Sequence, residues 1–96
     1  MPVSLTARQR AALKARAHAL EPTVTIGQAG LSDGVIAETD RALTAHALIK
    51  VRMGGAGRDE RAAIRDALCA RTDAAVVQTV GKIVVLWRPR PDDPDQ

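Results

Sequence analysis

The sequence predicts an α/β fold, a two-layer sandwich in which three helices and four strands follow one another as α-β-α-β-α-β-β around a mixed four-stranded sheet. Three observations predict it. Segments with apolar residues three and four apart alternate with short runs of β-branched residues around Val24, Val51, Val76 and Val84. Two of those runs end in glycine turns, Gly27-Gln28-Ala29-Gly30 and Gly54-Gly55-Ala56-Gly57, each followed by a helical pattern. The last two runs are separated only by Gly81-Lys82, a hairpin signal. Strands joined through helices pair in parallel by right-handed crossovers, and the hairpin adds antiparallel pairing.

The elements follow in order. Thr6 and Gln9 spell a T-x-x-Q capping box, which opens a first helix over about 7–19. Leu13, Ala17 and Leu20 mark its apolar side, and Glu21-Pro22 ends it, because a residue before proline avoids the α region. Val24 and Ile26 alternate with Thr23 and Thr25 as a half-buried strand. Ser32 is the N-cap of a second helix over 33–45, with Val35, Ile36, Thr39 and Leu43 as its inner stripe. The second strand spans 47–53, and in its later part Lys50 and Arg52 alternate with Val51 and Met53. A third helix over 59–71 turns Ile64, Ala67 and Leu68 inward, while Arg58, Arg61 and Arg65 line one outer face. Strands over 75–80 and 83–88 flank a type II′ turn with Gly81 first. Pro89 and Pro91 stop the last strand. Residues 1–91 form one domain, and 92–96 form an acidic tail expected to be disordered.

Composition narrows the function. The 96 residues include one Trp and neither Phe nor Tyr, so the core is aliphatic and base-stacking platforms are lacking. Fourteen Lys and Arg face 11 Asp and Glu, for a net charge of +3. Asp92, Asp93 and Asp95 hold three of those acids in the last five residues, and without them the balance rises to +6. A basic body points to a polyanionic partner, nucleic acid first. Cys69 is the only cysteine, which excludes an internal disulfide and suits a reducing compartment. No apolar run reaches the roughly 18 residues of a membrane span, and there is no signal-peptide pattern.

The stretch Val24 to Ser32 carries the chemistry. A strand running through a G-x-x-G turn into a capped helix leaves backbone N–H groups at a positive helix terminus. Two glycines let a phosphate backbone approach without meeting a Cβ. The candidate phosphate-backbone-binding residues are Gly27, Gln28, Ala29 and Gly30, with Arg10, Lys14, Arg52 and Arg58 as surrounding cations. His18 and His46 sit near helix ends as capping cations and lack metal-ligand spacing. Trp87 reads as a packing residue.

The segments Leu13, Ala17-His18, Leu20, Pro22, Ile26-Gly27 and Gly30-Leu31, then Leu48 to Val51, then Val80 to Lys82 and Val85 to Pro89, resemble the YhbY proteins. These are single-domain bacterial forms of the CRM (chloroplast RNA splicing and ribosome maturation) domain. The likeness covers residues 5 to 89. It implies a fold similar to the C-terminal domain of translation initiation factor three, with sheet order 1-2-4-3 and the fourth strand antiparallel to the others. It implies RNA binding, through a loop likened to that of KH domains and falling on Gly27 to Gly30, and a role on precursors of the large ribosomal subunit. Gln28 and Ala29 are neutral where the family often has Lys or Arg, and Trp87 stands where Tyr is usual.

The expected function is therefore a non-catalytic, cytoplasmic RNA-binding protein that binds ribosomal RNA of large-subunit precursors and assists assembly. No cofactor, metal, small-molecule substrate or membrane partner is expected. The sequence has no G-x-x-x-x-G-K phosphate loop, no Cys/His metal cluster and no nucleophile beside a base. The alternative is a protein-interaction module that docks on a ribosomal protein or assembly factor.

Overall fold

The computed structural model describes residues 5–27, 30–54 and 57–89. The elements are α1 (Ala7–Ala17), β1 (Pro22–Ile26), α2 (Asp33–His46), β2 (Leu48–Met53), α3 (Arg58–Thr72), β3 (Ala75–Val80) and β4 (Ile83–Trp87). The sheet order is β1-β2-β4-β3. β1 and β2 are parallel, and β4 runs antiparallel to both β2 and β3. The acidic tail over 92–96 lies outside the described residues.

Local chemistry starts the elements where expected. The capping box forms in both directions: Gln9 N–H donates to Thr6 Oγ1 at 3.1 Å, and Thr6 N–H donates to Gln9 Oε1 at 2.9 Å. Ser32 Oγ accepts from Val35 N–H at 3.2 Å and caps α2. Gly81 has φ +56°, whereas Lys82 is not among the positive-φ residues, so the hairpin turn is of the II′ kind.

The layers differ from expectation. There are three, not two: α2 and α3 cover one face of the sheet, and α1 covers the other. The reason lies in the crossovers. The chain moves from β1 to β2 and from β2 to β3 in one direction across the sheet, so two right-handed connections put α2 and α3 on the same side. The opposite side would then expose Leu48, Val77, Val85 and Trp87. These residues are instead buried under Leu13 and Ala17 of α1, with Leu5 and Ala47 at the margin. The larger core, on the α2/α3 side, is centred on Leu43, Leu68, Val51, Val84 and Leu86, all fully buried. Truncating any of those leucines to Ala costs about 2–5 kcal/mol, as cavity formation adds to lost burial.

Two polar groups inside this core are satisfied by their own helices. Thr39 Oγ1 donates to Val35 O at 2.8 Å, and Thr72 Oγ1 donates to Leu68 O at 2.7 Å. Among the described residues no helix is long and apolar enough to cross a membrane.

Arg88 joins the layers just past β4. Its Nη1 donates to Asp40 Oδ1 at 2.7 Å and to Thr72 O at 2.8 Å. Its Nη2 donates to Asp40 O at 3.0 Å and to Thr44 Oγ1 at 2.9 Å. One guanidinium thus links β4 to the middle of α2 and the end of α3, with its side chain only 18% exposed. Charge-assisted bonds of this kind outweigh neutral ones. Replacing Arg88 with Ala is expected to lower stability by about 2–3 kcal/mol, read as a shift in urea midpoint with unchanged slope.

Candidate nucleic-acid interface

The parallel strands β1 and β2 and the β3–β4 hairpin bring their loops to one end of the sheet. Gly54 N–H donates to Ile26 O at 2.9 Å, so the segments leaving β1 and β2 start side by side. Met53 N–H donates to Lys82 O at 2.7 Å, which ties the hairpin tip to the same end. The parallel pairing of adjacent β1 and β2 thus makes the two glycine turns neighbours. In open α/β sheets this crevice beyond the carboxyl ends of parallel strands is the usual ligand position.

At that end, Gly30 N–H donates to Gly27 O at 3.0 Å and closes the turn. The Gly30 amide is therefore spent within the loop. Gln28 and Ala29 lie outside the described residues. A Cβ built on Gly27 or Gly30 would meet nothing within 4 Å, so packing demands neither glycine. Gly30 has φ +78°, a conformation that disfavours a side chain, whereas Gly27 is under no such constraint. Among the described residues the space on the Cβ side of both glycines is open. Asp33, in the first turn of α2, is an acid beside this corner.

The expected cations are distributed unevenly around it. Arg52 is exposed near the end of β2, with Thr25 of β1 and Ile83 of β4 as cross-strand neighbours. Lys14 of α1 lines a groove of about 230 Å³ with His18, Lys50 and Gln78, over the part of the sheet that α1 leaves bare. Lys50 Nζ donates to Leu20 O at 3.0 Å, which holds the chain between α1 and β1. Arg58 is exposed at the start of α3, directly after the second glycine turn. Arg61 and Arg65 are half-buried rather than on an outer face, turned toward the β3–β4 hairpin.

Arg10 is placed elsewhere. Its Nη1 donates to the carbonyls of Val76 and Val77. β3 changes register between Val76 and Gln78, and Arg10 satisfies the carbonyls of that irregularity. β3 and β1 are opposite edges of the sheet, so Arg10 and the Gly27 turn stand on opposite sides of the molecule's width.

The family model for the CRS1 / YhbY (CRM) domain matches residues 5–88. The chain belongs to that family. A Haemophilus influenzae protein named RNA-binding protein is 46% identical to this CRM domain over 86 residues, spanning 90% of the present chain and 87% of the relative. The Pseudomonas aeruginosa "Probable RNA-binding protein PA4753" is 40% identical over 89 residues, spanning 93% and 86%. The CRM domain is also similar to the solution structure of Staphylococcus aureus protein SAV1595, with a TM-score of 0.82, 27% identity and 96% of each chain covered.

The remaining nucleophile in the CRM domain is Cys69, which is buried in α3. Burial, with Asp66 nearby, pushes its thiol up from 9.0 to about 11, and Arg65 opposes this only in part. The thiolate is the reactive form, so Cys69 is inert near neutrality. Its label with a thiol reagent at pH 8 should appear only on unfolding. Because the folded state holds this proton more tightly, stability from this group is present below pH 9 and declines as pH rises toward 11. Arg10 and Lys14 should separate in the same urea assay. Arg10→Ala is expected to cost about 1–2 kcal/mol through the unpaired carbonyls of Val76 and Val77, and Lys14→Ala less than about 0.5 kcal/mol.

Proposed function

We propose that this CRM-family chain is a non-catalytic RNA-binding protein of the cytoplasm that contacts ribosomal RNA in precursors of the large subunit and assists its assembly. The observation that carries the reading is the open Gly27–Gly30 turn at the loop end of the sheet, with exposed Arg52 beside it. Gly27, with Gln28 and Ala29, lies against the ribose-phosphate chain. Gly30 contributes the turn that its own amide closes. Lys14, Arg52 and Arg58 supply charge, and Arg10 contributes through whatever guanidinium donors β3 leaves over. With a single Trp, buried under α1, the domain reads phosphates and shape rather than stacked bases. The names of the Haemophilus and Pseudomonas relatives support RNA as the partner class. The reading requires no cofactor.

Docking on a ribosomal protein or assembly factor has less support. The large apolar side chains exposed among the described residues are Leu20, at 37%, and Val80, at 57%. Leu20 lies in the loop between α1 and β1 and Val80 ends β3, and they line separate grooves rather than one apolar patch of the size that protein interfaces use.

Gly27 offers the cleaner test, because a side chain there meets open space and no positive φ. Gly27→Asp should leave the melting temperature nearly unchanged, and binding to large-subunit ribosomal RNA fragments should weaken by about ten-fold or more, through a carboxylate set against phosphate. Equal affinity for the variant and the parent protein would remove the turn from the interface.

A further inference from the structure

A second cationic groove lies on the other face of the sheet. It is a cavity of about 320 Å³ between the first half of α3 and the β3–β4 hairpin, and Arg58, Arg61, Arg65, Thr79 and Met53 are among its walls. Arg58, Arg61 and Arg65 fall three and four residues apart, so they stack along one flank of the helix. Among the described residues no acid lines the cavity. Asp66 accepts from Arg65 Nε at 3.0 Å and is itself 71% exposed. That bond leaves the two terminal nitrogens of Arg65 for another acceptor. Asp59 and Glu60 begin the same helix but are not in the groove wall.

The Arg58 and Arg65 guanidiniums beside the Thr79 hydroxyl form a surface matched to tetrahedral, multiply accepting anions. Arginine pairs with phosphate through two parallel bonds, and it gains more from the pairing when half-buried than in open water. The groove is also continuous with the interface already described: Met53 in its wall precedes Gly54, whose N–H bonds to the end of β1. Thr79 pairs with Val84, which faces the α2/α3 core, whereas Lys14 and Lys50 line the groove on the α1 side. Two cationic grooves therefore lie on opposite faces, and both are bounded by the β3–β4 hairpin at the loop end of the sheet.

We propose that the α3 groove is a second binding site for RNA backbone phosphate, and that the bound strand passes over the loop end of the sheet and is gripped from both faces. This rests on the RNA-binding reading above. It adds the form of the RNA. A strand that folds over the end of so small a domain must be unpaired or at a junction, because a continuous duplex is too stiff and wide to follow that path. The preferred ligand is thus a single-stranded or junction segment, held without base readout.

The test uses the full chain, the single variant Arg65→Gln for the α3 groove, and the double variant Lys14→Gln/Arg52→Gln for the α1 face. Each binds a short unpaired RNA and a hairpin of the same composition across a salt series, with thermal melts as a fold control. The expected result is a tighter complex with the unpaired RNA. Arg65→Gln should also lose about 0.7, and the double variant about 1.4, from the slope of log affinity against log salt, as one and two phosphate contacts go. Arg65→Lys, which keeps the charge if the Gln variant fails to fold, should retain the slope while losing affinity. If the α1-face variant loses slope and the α3 variant binds as the parent does, the second site is overturned and the RNA-binding reading stands. Preference for the hairpin overturns the path over the sheet end. A parent chain that binds neither RNA overturns both readings.

Discussion

β2 and β4 occupy the centre of the sheet, and their side chains are apolar on both faces only where helices lie on both sides. On the α2/α3 face the cover is continuous, from Ile49 and Leu86 to Met53 and Val84. On the other face a single 11-residue helix, about 16 Å long, must serve four strands. It covers Leu48, Val85 and Trp87 and then ends. Beyond it β2 continues with Lys50 and Arg52, residues that a two-sided core could not hold without burying charge. The shortness of α1 thus decides where the basic surface can exist. The parallel pairing of β1 and β2 decides that the glycine turns lie at the same end.

Net charge by itself says little about which cations meet a ligand. Arg88 and Arg10 are held by the protein's own acceptors, the first across two helices and the second along β3. Lys50 is partly held by Leu20 O. Lys14, Arg52 and Arg58 remain directed to solvent or to a groove without an acid partner among the described residues. Two functions therefore share one residue type. The fold uses arginine where carbonyls need several donors in fixed geometry, and the surface uses it where a polyanion can be met.

Much of the fold was legible because it is local. The Thr6–Gln9 box, the Ser32 cap and the Gly81 turn are set by residues within three positions of one another, and each forms as read. Element order follows from the same short-range periodicities. The third layer was missed because α1 precedes the first strand, and no crossover rule assigns it a face. The engagement of Arg10 joins residues 66 apart, and that of Arg88 joins residues 48 apart. No spacing pattern in the chain reports such contacts. The adjacency of the two glycine turns is not spelled in the turns themselves. It follows from the parallel pairing that the crossover rule and the expected order 1-2-4-3 imply, and that the sheet shows.

The placement of Arg10 also bears on how this sheet ends. β1 and β3 are edges, and edges offer unpaired N–H and C=O groups to any passing strand. β1 begins with Pro22, which has no N–H to offer, and its pairing with β2 is irregular from the first residue. β3 is kinked at Val77, and the acceptors at the kink are already taken by a guanidinium from the helix above. Both rims are therefore poor templates for strand addition. A polyanion that concentrates many copies of the protein along its length can do so without annealing them into a common sheet.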